Sequence, residues 1–209
     1  MYSFSKVLSQ LIKPINSTVV TDAGSANYVL AQSLQNSKLV LPAAQGEMGF
    51  MIPAAIGVAV SDKMTNVIGV TGEGSFQFNL QELQTIVHNK LPIKLFILNN
   101  GGYLCIRNTQ KKYFNDNFAG CDEDSGVSFP DPSKIASAYG LPFKRFTDMS
   151  ELLLGLPAII ECKGPILCEV MCPHDEEVYP TAAAQQTDEG KLIPQPLENM
   201  SPFLSREEF

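Results

Sequence analysis

Glu73 stands between two glycines at the end of the apolar run Val67-Ile68-Gly69-Val70-Thr71, and Asn100 closes a second run, Ile93-Lys94-Leu95-Phe96-Ile97-Leu98-Asn99. A carboxylate and a carboxamide are hard oxygen donors of the kind Mg²⁺ takes. If both runs are strands ending at one edge of a parallel sheet, the two side chains can hold a divalent cation between them. The small residues around Glu73, namely Gly72, Gly74 and Ser75, leave backbone N–H groups open to phosphate oxygens. The chemistry these types and spacings point to is a diphosphate held through a metal ion.

The elements that must position this pair follow from local pattern. Residues 67–71 form a short β-rich run ended by glycines, and residues 78–89 read as a helix. Asn79 and Glu82 have the spacing of a capping box, and Leu80, Leu83, Ile86 and Val87 recur with helical period. Pro92 ends that helix, and residues 93–98 are a second buried strand. A β–loop–α–β unit has a right-handed crossover and parallel strands. Both polar clusters therefore fall at strand C-termini, where open α/β sheets bind ligands. Elsewhere, residues 4–11, 26–34, 51–60, 133–139 and 150–160 read as helices, the last with Thr147 and Asp148 as capping candidates. Residues 143–146 and 166–171 read as strands, and 178–190 as an extended arm without a clear period. The expected fold is α/β: a single doubly wound domain with a mostly parallel central sheet of about six strands. It is expected to span residues 1–178, with a C-terminal arm, 179–209, packing on the domain or on a partner.

Strand, Gly-acid-Gly, helix, strand and Asn-Asn in this order resemble the signature of thiamine diphosphate enzymes, and residues 5–204 follow the diphosphate-binding domain of the acetolactate-synthase-like branch. The resemblance implies thiamine diphosphate and Mg²⁺ as cofactors, with Glu73, Asn100 and the Gly102 carbonyl as metal ligands and Gly72, Gly74 and Ser75 against the diphosphate. The family has aspartate where this chain has Glu73; Glu73→Asp is expected to preserve or improve metal binding if the acid is merely a lengthened ligand, and to weaken it if the loop has adapted to glutamate. Gln45-Gly46-Glu47-Met48-Gly49-Phe50 is similar to the stretch carrying the residue wedged under the cofactor. By that likeness Met48 holds the two rings folded, and the Gly46 carbonyl accepts from the 4′-amino group. Gly24 and Ser25, after the run 19–22, match the first diphosphate contacts. Tyr103 opens a stretch similar to the helix start that lines the cofactor.

The same resemblance implies a partner. Family members close the site with a pyrimidine-binding domain that supplies a catalytic glutamate, and the expectation is that this half lies outside the chain, as another domain or subunit in a homo- or hetero-oligomer. The implied reaction is decarboxylation of a 2-oxo acid followed by carboligation. Alternatives are a simple 2-oxo-acid decarboxylase subunit and a non-catalytic cofactor-binding or assembly module.

Composition bounds the rest. With 44% hydrophobic and 18% charged residues among 209, the chain has the make-up of a globular α/β protein. A formal charge of −7 and the lack of a basic stripe argue against nucleic acid or an anionic membrane as partner. The five cysteines form no Cys-x-x-Cys pair and read as reduced thiols of a cytoplasmic protein. Gly-x-Gly after a strand also opens dinucleotide folds, but Gln77 stands where that fingerprint needs its third glycine. Several residues carry a plainer reading as well: Ser25 as a helix N-cap, Met48 as core packing, His88 as a partner of a helix C-terminus, and Cys168 and Cys172 as part of a buried final strand. The acidic stretch 121–125 reads as a solvated or mobile loop, though the resemblance implies that this region can order over the cofactor when substrate and partner domain are present.

Overall fold

The computed structural model describes residues 1–187 and 189–204; position 188 and positions 205–209 of the expected arm lie outside the described residues. The chain runs α1 (Tyr2–Ile12), β1 (Ser17–Thr21), α2 (Ser25–Ser33), β2 (Lys38–Val40), α3 (Met51–Ser61), β3 (Asn66–Gly72) and a short helix α4 (Glu73–Phe76). A 3₁₀ segment Gln77–Glu82 leads into α5 (Leu83–His88), β4 (Lys94–Asn99), α6 (Leu104–Tyr113), α7 (Pro132–Tyr139), β5 (Phe143–Phe146), α8 (Met149–Glu161) and β6 (Ile166–Met171). Strands β7 (Ala184–Gln186) and β8 (Leu192–Pro194) follow.

Strands β1, β3 and β4 are buried along nearly their whole length, as continuous apolar runs of a sheet covered on both faces must be. They belong to a six-stranded sheet of order β2-β1-β3-β4-β6-β5 in which every pairing is parallel. One face buries Val67, Leu95, Ile97 and Leu167 with Met51, Ile52 and Ala55 of α3, Leu83 and Ile86 of α5, and Ala136 of α7. Phe96, between Leu95 and Ile97, turns to the other face and meets Phe4 of α1 with ring centroids 5.2 Å apart. The fold is therefore the doubly wound α/β architecture anticipated from the pattern. The strand order reverses between β1 and β3, so the crevice for a ligand opens at their carboxyl ends. Register carries the pair together: Gly72 lies beside Leu98, which leaves Glu73 and Asn100 just beyond the same sheet edge.

Three local expectations change. The helix expected over 78–89 is reduced to α5, because Asn79 leaves helical geometry at φ −137°, ψ 37°. Its side chain does not cap; Nδ2 donates to the Gly49 carbonyl at 2.7 Å. Ser25 is the first helical residue rather than the N-cap, which is Gly24. The region read as an aperiodic arm contains the antiparallel pair β7–β8. By contrast, Asp148 caps α8 by accepting from the Glu151 N–H at 2.9 Å, while Glu151 Oε2 accepts from the Thr147 N–H at 2.8 Å. Residues Met1–Glu176 form one compact unit, and the chain from Glu177 onward a second.

Candidate cofactor and metal site

A cavity of about 300 Å³ opens at the carboxyl ends of β1, β3 and β4. It brings together Gly24 and Ser25 from the β1–α2 turn, Gly72, Glu73, Gly74 and Ser75 from the β3–α4 turn, and Asn100, Gly102 and Tyr103 after β4. Met48 also lines it, 41% exposed and so outside the apolar core. Gly46 is not among the lining residues; it sits in the turn before Met48 at φ +66°, its N–H on the Pro42 carbonyl.

Glu73 and Asn100 meet directly. Glu73 is 3% exposed, and its Oε1 accepts from the N–H groups of Asn100 at 3.1 Å and Gly102 at 2.6 Å. Its Oε2 is buried with no hydrogen-bond partner among the described residues. Burial pushes the Glu73 carboxyl above its ordinary value, against the lowering effect of those N–H donors and of Arg107. A buried carboxylate oxygen left without a partner is costly unless something cationic completes it. With Oε2, the Asn100 carboxamide oxygen and the Gly102 carbonyl at one edge, the donor set is all oxygen and suits Mg²⁺.

The backbone around the cavity allows no side chain at three places, one of them Gly102, where a Cβ would clash with the Cys121 carbonyl oxygen. A Cβ on Gly74 would run into the Tyr103 ring, itself held edge-on by Phe129 at 5.3 Å between centroids. Gly49, at φ +82°, lies so close to Phe78 and the Asn79 amide that a Cβ would fall 2.6 Å from Phe78 Cβ. The N–H groups of Gly74 and Ser75 open a helical turn and so have no partner one turn earlier in that helix.

Sequence reading missed three residues that shape the site. Asp22, the buried acid directly after β1, accepts from the Met51 N–H and the Thr71 hydroxyl at 2.5 Å each and from the Ser75 hydroxyl at 2.8 Å. Ser75 Oγ in turn accepts from the Gly49 N–H at 2.9 Å, so one carboxylate ties β1, β3, α3 and the Met48 loop together. A charged residue ending a fully buried strand was the available signal. Arg107 is buried in the first turns of α6, its Nη2 donating to Asn100 Oδ1 at 3.0 Å, the Asn100 carbonyl at 3.1 Å and the His174 carbonyl at 2.5 Å. Asp122 is the third: with Cys121 it departs from the solvated-loop reading of stretch 121–125, which holds for the exposed Glu123 and Asp124. Cys121 and Asp122 are buried, Asp122 bridges to Gly102, and its Oδ2 lies 4.0 Å from Arg107 Nη1 and 3.6 Å from His174 Nε2. Hydrogen bonds from Ser125 hold the Asp122 carboxyl below the usual range.

The remaining candidates have simpler settings. Cys168 is buried within β6, and burial pushes the Cys172 thiol up to about 11. His88 lies in the last turn of α5. Among the described residues, no group of three or more His, Cys, Asp or Glu side chains could hold a metal ion, and no helix is long and apolar enough to cross a membrane.

Residues 22–170 match the family described as "Thiamine pyrophosphate enzyme, C-terminal TPP binding domain". The chain is 33% identical over 165 residues to "Acetolactate synthase" of Arthrospira platensis, covering 78% of this chain and 28% of that protein. It is 35% identical over 139 residues to "Acetolactate synthase 2, chloroplastic" of Zea mays, covering 65% of this chain and 22% of that protein. The "Acetolactate synthase large subunit" of Cyanidium caldarium is 33% identical over 174 residues, with 82% of this chain and 29% of that protein covered. The chain thus spans less than a third of the length of these curated relatives.

Proposed function

Because the chain belongs to the thiamine pyrophosphate enzymes, as a C-terminal TPP-binding domain of the acetolactate-synthase-like kind, we propose that its cavity holds the diphosphate end of thiamine diphosphate through Mg²⁺. One observation carries the reading: Glu73 and Asn100 are hydrogen-bonded neighbours beyond adjacent strands, and Glu73 Oε2 is buried without a partner. In this reading Glu73 Oε2, Asn100 Oδ1 and the Gly102 carbonyl take the metal. Gly24, Ser25, Gly72, Gly74 and Ser75 surround the phosphates. Met48 supports the rings, the Gly46 carbonyl receives the amino group, and Tyr103 closes the side against Gly74. Residues 1–178 act as the cofactor-binding domain, and 179–209 as an arm.

When bound, the cofactor supplies the electron sink for cleaving the bond between the carboxylate and carbonyl carbon of a 2-oxo acid. This chain orients the diphosphate, fixes the metal and keeps Met48 raised on a loop pinned through Gly49 and Ser75 to Asp22. A pyrimidine-binding domain or subunit would bring the proton-handling carboxylate, since Glu73 is the one carboxylate lining the cavity among the described residues. The complete assembly would then decarboxylate a 2-oxo acid and pass the product to a second carbonyl. Five free cysteines accord with a reducing compartment such as the cytoplasm.

Calorimetric titration of the whole chain with thiamine diphosphate, with and without Mg²⁺, tests the assignment. Asn100→Ala should abolish the Mg²⁺-dependent part of the binding while the thermal midpoint shifts by only a few degrees. Unchanged affinity would remove Asn100 from the metal shell. A second reading, a cofactor-holding module without turnover, is favoured by the same lone carboxylate in the cavity; it predicts binding but no CO₂ release even with a pyrimidine-binding partner.

A further inference from the structure

Among the described residues Glu73 is the only side chain with a formal charge lining the cavity, and neither Lys nor Arg lines it. A diphosphate brings several negative charges to a place where the nearest side-chain charge is of the same sign. The cation available to balance it lies behind the lining: Arg107, 2% exposed, seated on both oxygens of Asn100. All three of its hydrogen bonds go to neutral oxygens, two on Asn100 and one on His174. Nε and Nη1 have no hydrogen-bond partner among the described residues. The nearest carboxylate, Asp122, forms a long ion pair through Oδ2, 4.0 Å from Nη1 and 3.6 Å from His174 Nε2, while its Oδ1 is engaged by the Ser125 hydroxyl at 2.6 Å and N–H at 3.1 Å, so the guanidinium is only partly offset from that side. The guanidinium is always ionised, so its charge is a permanent part of the site.

That placement has opposite effects on the two components of the cofactor. A free divalent cation approaching Asn100 Oδ1 meets an oxygen whose other lone pair is already held by a cation. It is also repelled by that cation at short range in a poorly screened interior. A diphosphate is attracted by the same charge and repelled by Glu73. Only when metal and diphosphate arrive together do the charges balance. We propose that Arg107 is a specificity-determining residue: its buried guanidinium offsets Glu73, so that the pocket rejects a bare divalent ion and accepts a metal–diphosphate pair. The proposal rests on the reading of the cavity as a diphosphate–Mg²⁺ site.

The test is calorimetry on the full chain with Mg²⁺ alone, Mn²⁺ alone, thiamine diphosphate alone, and each metal with thiamine diphosphate. In the wild type each component should bind at least about tenfold more weakly alone than with the other. Arg107→Met should tighten free Mn²⁺ by about tenfold, weaken metal-free thiamine diphosphate and shrink the mutual enhancement. Arg107→Lys keeps the charge and should keep the enhancement within a few-fold. The proposal is overturned if the wild type binds Mg²⁺ alone as tightly as with thiamine diphosphate, if Arg107→Met leaves the enhancement unchanged, or if Arg107→Lys behaves like Arg107→Met. Should Arg107→Met fail to fold by its melting curve, the wild-type and Lys arms still decide. Absence of any binding by the wild type with both components present would sink the reading of the cavity itself, which is a separate outcome from a lost Arg107 effect.

Discussion

In Glu73 the two carboxylate oxygens are divided: Oε1 holds the N–H groups of Asn100 and Gly102, and Oε2 is buried with no hydrogen-bond partner among the described residues. The side chain must be long enough to reach across from β3 to the turn after β4. Glu73→Asp withdraws the carboxylate by about 1.5 Å, one C–C bond, which favours the alternative in which the loop is adapted to glutamate. Hydrogen bonds to a charged group contribute about 1.5–3 kcal/mol each. Glu73→Asp should therefore lower unfolding stability by about 2 kcal/mol in a urea titration and weaken Mg²⁺-dependent cofactor binding; tighter binding would show that the turn is not built around glutamate. The raised pKa of Glu73 sets a pH dependence as well. Its native-state value lies above the unfolded one, so the native state binds the extra proton, and stability from this group falls as pH rises from about 4.3 through the raised value. Glu73→Gln removes that loss. The stability of Glu73→Gln relative to wild type should then rise between pH 4 and pH 7 in paired urea titrations, and a flat difference would contradict the assignment. Cofactor binding through the metal should run the other way in the wild type, weakening on acidification as the ligand is protonated.

At the scale of elements, the sheet was legible because β3, β4 and β6 are apolar runs bounded by glycine, asparagine or proline, and burial on both faces demands that composition. The cap at Asp148 was legible for the same local reason. What could not be read were elements decided by distant partners. Asn79 has the sequence of a cap, but the Gly49 carbonyl takes its amide and the turn becomes 3₁₀. The stretch 121–125 has the composition of solvent-exposed chain, but its main chain pairs with the Gly102–Tyr103 turn and its acid approaches a buried arginine. The site was likewise half legible: Glu73, Asn100 and the glycines lie close in sequence to the strand ends, whereas Asp22 and Arg107 act through contacts that no spacing announces. Two glycines test this reading. Gly49→Ala forces a side chain at φ +82° against Phe78 and Asn79. It should cost about 2 kcal/mol or more in urea unfolding and weaken cofactor binding by shifting the Met48 loop. Gly57 sits in α3 with nothing within 4 Å of an added Cβ. Gly57→Ala should stabilise by about 0.5–1 kcal/mol. Equal effects at both positions would mean that the Met48 turn is not a close-packed support.

For the whole molecule, the mouth of the cavity poses the main question. Tyr28 is 52% and Ile106 47% exposed, and with Met48 they line the cavity as large apolar side chains left open. Apolar surface gathered at one site on a protein marks a place of contact more often than accidental exposure. The relatives matched are more than three times the length of the shared region, which is consistent with a second domain facing this mouth. We expect the chain on its own to self-associate through it. Sedimentation velocity over a range of concentration should show a rising weight-average mass, and Ile106→Lys should suppress the rise. Leu154→Lys, at an 84% exposed position of α8 outside the cavity lining, should not. If both variants behave like the wild type, the mouth is not the sticky surface, and a partner domain would have to be sought elsewhere. If Ile106→Lys alone dissociates the chain, the same variant should block restoration of Mg²⁺-dependent CO₂ release from 2-oxo acids by an added pyrimidine-binding domain. Association and turnover would then share one surface, the outcome expected if the proposed cofactor is held at its diphosphate end by this domain and at its ring end by another.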